Sequence, residues 1–153
     1  MAFLPAAAPQ ITSSTSPPIA AYVHIPFCRR RCFYCDFPVS ILGDRSRGDD
    51  SGTMREYVEA LCTEITATPR SGEPLKTVFF GGGTPSLLSV SQLEQILTAI
   101  DQQFSIAPDA EISLEIDPDT FDRTQLQGYK SAGVNRVSLG VQSLDETLLQ
   151  ACG

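Results

Sequence analysis

From residue 20 onward, short apolar runs alternate with amphipathic stretches, and no other feature of this chain narrows its choice of fold as far. A run of four to six β-favouring residues reads as a strand. Apolar residues at i, i+3, i+4 and i+7 read as a helix, and regular succession of the two is the pattern of βα units around a parallel sheet. Four such units are expected, placing the chain in the α/β class. The first has a strand over Ala20–Ile25, a polar, solvent-exposed excursion over residues 43–52, and a helix capped by Thr53 with Glu56 that buries Val58, Leu61, Cys62 and Ile65. The second has a strand over 77–80 and a helix opened by Ser91 with Glu94 and built on Leu93, Ile96, Leu97 and Ile100. The third has a strand over 111–116 and a helix over 122–132, stopped by Gly133. The fourth has a strand over 136–141, and Ser143 with Glu146 opens a helix carrying Leu144, Leu148 and Leu149. Four units with right-handed crossovers begin a closed or partly closed barrel. The last helix has no later element to pack on, so the chain reads as part of a longer protein.

The loop leaving the first strand carries the chemistry. Cys28, Cys32 and Cys35 lie within eight residues, too close for a disulfide framework and well placed to share a metal or cluster in a reducing compartment. Thiolates are soft ligands for iron–sulfur clusters, and a four-iron cluster takes four of them, so three leave one iron open for chemistry. A zinc site is the alternative and would want a fourth ligand. Arg29, Arg30 and Arg31 would offset the charge of a thiolate-bound cluster; a plain solvated loop explains them as well.

Strand alternation adds a polar interior. Ile112, Leu114 and Ile116 alternate with Ser113, Glu115 and Asp117; Val137, Leu139 and Val141 alternate with Ser138, Gly140 and Gln142; Tyr22 and His24 oppose Val23 and Ile25. With the apolar rows under the helices, Ser113, Glu115, Ser138 and Gln142 point into the barrel near the strand ends, where barrel enzymes bind ligands. Such groups need a hydrogen-bonding partner. Gly81, Gly82 and Gly83, followed by Thr84 and Pro85, form a turn whose main chain a ligand can approach closely, and no Gly-Lys-Ser/Thr follows to make it a nucleotide P-loop.

Cys28, Cys32, Tyr34 and Cys35 match the Cys-x-x-x-Cys-x-aromatic-Cys pattern that follows a strand in the radical S-adenosylmethionine (SAM) superfamily. The wider string from Tyr22 through His24 and Pro26 to Asp36 and Phe37 resembles one branch, the HemW haem chaperones and the oxygen-independent coproporphyrinogen III dehydrogenases. The likeness continues through residues 81–85, 115–118 and 138–142. It implies a partial TIM-type barrel with a 4Fe-4S cluster on Cys28, Cys32 and Cys35. It also implies a SAM pocket in which Gly82, Gly83 and Thr84 meet the amino group, Glu115 binds the ribose, Gln142 and Tyr22 line the wall, and Tyr34 lies near the adenine. His24 reads as a packing or hydrogen-bonding residue of the cluster loop and not as a haem ligand; Cys62 and Cys152 read as helix-face residues.

The dehydrogenases carry a further cysteine two positions after the third, where this chain has Phe37, and the departure favours the chaperone type. Haem or a porphyrinogen would then be the cargo and haem proteins the clients. Decarboxylation of coproporphyrinogen III and a shortened product without function are the other two readings. The His-Asn-x-x-Tyr-Trp segment associated with haem in the chaperones is absent from this sequence, which has no Trp. A net charge of -7 opposes nucleic acid and anionic membrane surfaces as partners, and no apolar run is long enough for a membrane span. Residues 1–19 carry no charged side chain and read as a disordered tail or the remnant of a targeting segment, with 20–153 as the core domain. Cytoplasm is the expected compartment, with a plastid or mitochondrial interior as the alternative.

Overall fold

The computed structural model describes residues 17–44, 48–70 and 72–152. The expected tail falls largely outside them; of its described end, the Ile19 carbonyl accepts from the amide of Lys76 at 2.7 Å. Four parallel strands form the main sheet: β1 (Ala20–Ile25), β4 (Leu75–Gly82), β5 (Ile106–Ile116) and β6 (Arg136–Leu139), neighbours in that order. Helices α1 (Gly52–Ala67), α2 (Val90–Phe104) and α3 (Arg123–Ser131) connect them, and α4 (Glu146–Cys152) follows β6. This is the βα succession read from the pattern. The registers pair Ile25 with Gly82, Phe80 with Leu114, and Glu115 with Ser138, so the carboxyl ends of all four strands come together at one edge.

One apolar layer fills the space between sheet and helices. Val23, Ile25, Val78, Phe80, Leu114 and Ile116 come from the strands, Met54, Val58 and Ile65 from α1, and Leu93, Ile96, Leu97 and Ile100 from α2. The spacing that identified the helical faces is thus the spacing that is buried, with Leu61 and Cys62 packed at the margin.

Helix α3 starts where expected, with Asp122 as its N-cap, whereas the caps of the other three differ from expectation by two residues. The N-cap of α1 is Ser51, whose hydroxyl accepts from the amide of Met54, because a 3-10 turn at Gly48–Asp50 delivers Ser51 into the interior while Thr53 stays exposed. The excursion over 43–52 is accordingly not all solvent-exposed: Gly48 and Ser51 are buried. In α2 the cap is Ser89, in a reciprocal pair with Gln92, and the displaced Ser91 turns its hydroxyl to Asp49. In α4 the carboxylate of Asp145 accepts from the amides of Thr147 and Leu148, and Ser143 instead holds the Asp145 amide.

Strand lengths differ as well. β5 begins at Ile106, five residues early, because Ile106 pairs with Leu75 despite Pro108 and Asp109, which are poor strand formers. β6 ends at Leu139 instead of 141, since Gln142 adopts φ +63 and takes the chain out of the sheet. Its apolar row is not under a helix as expected: Val137 and Leu139 are about half exposed, because β6 is the edge strand and no described element covers it. A second sheet has no counterpart in the sequence pattern. β2 (Phe27–Cys28) and β3 (Ser40–Ile41) pair in parallel and clasp the two ends of the cysteine loop, with the Leu42 amide donating to the Cys28 carbonyl at 2.9 Å.

Candidate functional site

The cysteine loop runs between β2 and β3 and is held on all sides by polar contacts. The Cys35 amide donates to the Cys32 carbonyl at 3.2 Å, closing a tight turn. Arg31 donates to the Phe37 carbonyl at 3.1 Å within the loop, and Arg29 bridges Asp44 at 3.2 Å and the Asp119 carbonyl at 3.0 Å. Two of the three arginines therefore brace the loop. Arg30, exposed like Arg31, is the third, and its charge reaches Asp117. The Phe33 amide donates to the Cys152 carbonyl at 2.9 Å, so the loop also rests on the end of α4.

Facing the loop is the turn that follows β4. Gly82 has φ +112, a conformation open to glycine, and the His24 ring occupies the space where its Cβ would stand, which is the packing role expected of that histidine. At Gly83 a Cβ would meet the Phe27 carbonyl oxygen at 2.5 Å and the Cys28 sulfur at 3.0 Å. The Gly83 and Thr84 amides donate to the carbonyls of Ile25 and Phe27 at 2.8 and 2.7 Å, lacing the turn to the end of β1 and to β2, which carries Cys28. Thr84 is buried, with its hydroxyl 3.6 Å from the Cys28 sulfur and 3.3 Å from a carboxylate oxygen of Asp117.

The turn is also anchored from behind. Tyr129 of α3, almost fully buried, donates to the Leu88 carbonyl at 2.6 Å, and Gln125 donates to the Ser86 and Leu88 carbonyls at 3.2 and 3.0 Å. Neither residue was singled out from the sequence, since a tyrosine on a short helix carries no signal of where its hydroxyl goes. Tyr129→Phe leaves the Leu88 carbonyl short of its closest side-chain donor and is expected to cost about 1–3 kcal/mol. The check is urea denaturation, with a lowered midpoint and an unchanged slope.

These walls and the ends of β5 and β6 enclose a cleft of about 990 Å³. Cys28, Cys32, Cys35, Tyr34, Gly82, Gly83, Thr84, Glu115 and Gln142 all line it, so nine of the ten residues expected at the site are brought together. Tyr22 is the exception. It is exposed on the same face of the sheet, its ring stacks on Phe79 at 6.0 Å, and its hydroxyl lies 3.1 Å from His24 Nδ1, one strand away from the cleft wall. Ser138 lines the cleft as expected; Ser113 does not, being buried with its hydroxyl donating to Glu111 at 2.8 Å. Cys62 is a helix-face residue at the margin of the core. Cys152 ends α4 and lines the cleft beside the other three thiols. Asp117, given no role of its own from the sequence beyond its place in the alternation and in the 115–118 likeness, sits between Thr84 and the β6 end.

The electrostatics are those of a half-closed site. Burial pushes the Cys28 thiol above its ordinary pKa; the Thr84 hydroxyl opposes this, and the nearby Cys35, Asp117 and Cys32 add to it. Burial likewise raises Asp117, against the Thr84 hydroxyl and Arg30. Tyr34 is pushed up to about 12 by burial and by Cys32 beside it. Among the described residues no three His, Cys, Asp or Glu side chains converge as ligands of a single ion do. A four-iron cluster asks for something else, one thiolate at each of several corners. Three soft donors on one braced loop, facing a turn at which a Cβ would crowd the Cys28 sulfur, suit such a group.

Residues 22–153 match the model of the Radical SAM superfamily. The chain is 62% identical over 136 residues to the haem chaperone HemW of Synechocystis sp., covering 89% of this chain and 33% of that protein. It is 41% identical over 147 residues to the mouse mitochondrial protein named radical S-adenosyl methionine domain-containing protein 1, covering 95% and 32%. Among solved structures, the coproporphyrinogen III oxidase HemN of Escherichia coli, a radical SAM enzyme, superposes with a TM-score of 0.76 at 29% identity over 88% of this chain and 30% of that one. The chain spans about a third of the length of the curated relatives it matches. A parallel βα sheet, a three-cysteine loop facing a glycine turn, and these likenesses agree: the chain belongs to the radical SAM superfamily, a family that implies a 4Fe-4S cluster and SAM.

Proposed function

We propose that this chain is the cluster- and SAM-binding part of a haem chaperone of the HemW kind. The observation that carries the reading is the shared cleft, which gathers three thiols from the β2–β3 loop, the open main chain of residues 82–84, and Glu115 and Gln142 from the ends of β5 and β6. Cys28, Cys32 and Cys35 hold the cluster by three corners. Main-chain groups at Gly82 and Gly83, with Thr84, meet the amino group of SAM; Glu115 takes the ribose hydroxyls, Gln142 and Tyr34 flank the nucleoside, and Tyr22 on β1 approaches Glu115 over Gly81 of the intervening β4. When bound, the cluster would supply an open iron and a one-electron reductant. Phe37 lines the cleft where the dehydrogenases have a further cysteine, so the porphyrin is read as cargo and not as a substrate for decarboxylation. Haem proteins are the clients. Free thiols and a reducible cluster suit a reducing, cytosol-like compartment, and no helix among the described residues is long and apolar enough to cross a membrane.

The test is anaerobic reconstitution with iron and sulfide, followed by EPR of the dithionite-reduced chain with and without SAM. Expected are about four irons and four sulfides per chain and a spectrum changed by SAM. Haem loading and transfer to an apo-haem protein, run beside a coproporphyrinogen III assay, then divides the two functions. Consumption of coproporphyrinogen would replace the chaperone reading with the dehydrogenase one, and a folded chain that holds no iron would leave a product without function.

A further inference from the structure

Asp117 follows β5 directly, on the same side of the alternation as Glu115, and its main chain is pinned at both ends. Its amide donates to the Ser86 hydroxyl at 3.1 Å and its carbonyl accepts from the Thr120 hydroxyl at 2.6 Å. The carboxylate is thereby held in the cleft on a rigid support. Among the described residues one side-chain hydrogen bond reaches it, the long one from Thr84 at 3.3 Å. Its second oxygen lies where a Cβ on Gly140 would stand 2.6 Å away, so the missing side chain of Gly140 is what leaves the carboxylate room. A half-buried anion with one weak donor, and with the exposed guanidinium of Arg30 as the one offsetting charge among the described residues, sits at a cost that a cation in the cleft would remove. The same Thr84 hydroxyl contacts Cys28, so a cation meeting Asp117 also lies beside the cluster loop.

Resting on the reading of the cleft as a SAM site, we propose that Asp117 is a specificity-determining residue that recognises the positive charge of the sulfonium ligand and so favours SAM over its neutral thioether analogue, S-adenosylhomocysteine. The two molecules differ by one methyl group and one charge at sulfur. A carboxylate within reach of that charge acts on one and not on the other, and at the effective dielectric of a half-closed site the difference is roughly tenfold in affinity or more.

The experiment measures the dissociation constants of SAM and S-adenosylhomocysteine by equilibrium dialysis on the cluster-reconstituted chain and its Asp117→Asn variant, with iron content and circular dichroism recorded for each. The expected result is a roughly tenfold loss of SAM affinity with S-adenosylhomocysteine unchanged. Asp117→Glu, which keeps the charge, retains the preference and serves as the deciding variant if the Asn form holds no cluster. Equal weakening of both ligands, or of neither, overturns the proposal. A changed EPR spectrum of the reduced Asn variant without SAM also overturns it, by assigning the carboxylate to iron. If the unaltered chain binds neither ligand, it is the SAM reading that has failed, and this inference with it.

Discussion

Replacing Cys28, Cys32 or Cys35 singly by Ala is expected to abolish cluster retention, taking the reconstituted chain from about four irons to near zero, whereas Cys62→Ala and Cys152→Ala keep it. The contrast follows from position. The first three are half-exposed thiols on one loop that faces the glycine turn, and a cluster already short of one thiolate has no substitute for a second loss. Cys62 lies at the core margin on α1, away from the cleft. Cys152 lines the cleft, and its tie to the loop runs through its carbonyl, which the substitution leaves in place. Folding should survive all five changes, because the loop is braced by Arg29, Arg31 and the β2–β3 pairing and not by the thiols. Iron, sulfide and zinc are counted together. Zinc retained in place of iron, or iron lost equally in the Cys152 variant, would revise the ligand set.

How much of this could be read in advance depended on how local each feature is. Helical faces were legible because burial follows the 3.6-residue period: Val58 and Ile65, or Leu93, Ile96, Leu97 and Ile100, needed no knowledge of what they pack against. Caps were not, since Ser51 and Thr53 are equivalent as local signals and tertiary packing chooses between them. The same holds for Ser89 over Ser91, where the burial of Leu87 and Leu88 sets the point at which the chain can turn into the helix. The β2–β3 sheet was invisible because two residues show no alternation.

The site was legible for a geometric reason. In a parallel sheet every strand delivers its carboxyl end to one edge, so polar residues at those ends meet whatever their separation in sequence. That rule places Glu115, Gln142 and the residues 82–84 together. It does not resolve depth along a strand: Tyr22 shares the face of Glu115 but starts lower on β1, where it stacks on Phe79 outside the cleft. It is also silent on contacts made through the back of a turn, which is how Tyr129 and Gln125 reach the carbonyls behind residues 83–85.

Gly83→Ala is expected to be the most damaging small substitution in the chain, and the contrast with Gly52→Ala isolates the cause. At Gly52, in the first turn of α1, a Cβ meets nothing within 4 Å and the backbone is not in the left-handed region, so alanine should be neutral or gain a few tenths of a kcal/mol, roughly, from the lower entropy of the unfolded chain. At Gly83 the new Cβ would stand 2.5 Å from the Phe27 carbonyl oxygen and 3.0 Å from the Ile25 carbonyl oxygen and the Cys28 sulfur. Those oxygens belong to backbone, and they accept the very hydrogen bonds that lace residues 83 and 84 to β1 and β2, so neither can move without breaking a bond of 2.7–2.8 Å. Overpacking alone costs about 1–3 kcal/mol, and loss of the lacing adds to it. Because the crowded segment carries Cys28, iron content should fall along with the denaturation midpoint. A Gly83→Ala chain with unchanged stability and full iron content would show that the turn is free to open, and the close approach of glycine and cysteine loop would then not be what shapes the cleft.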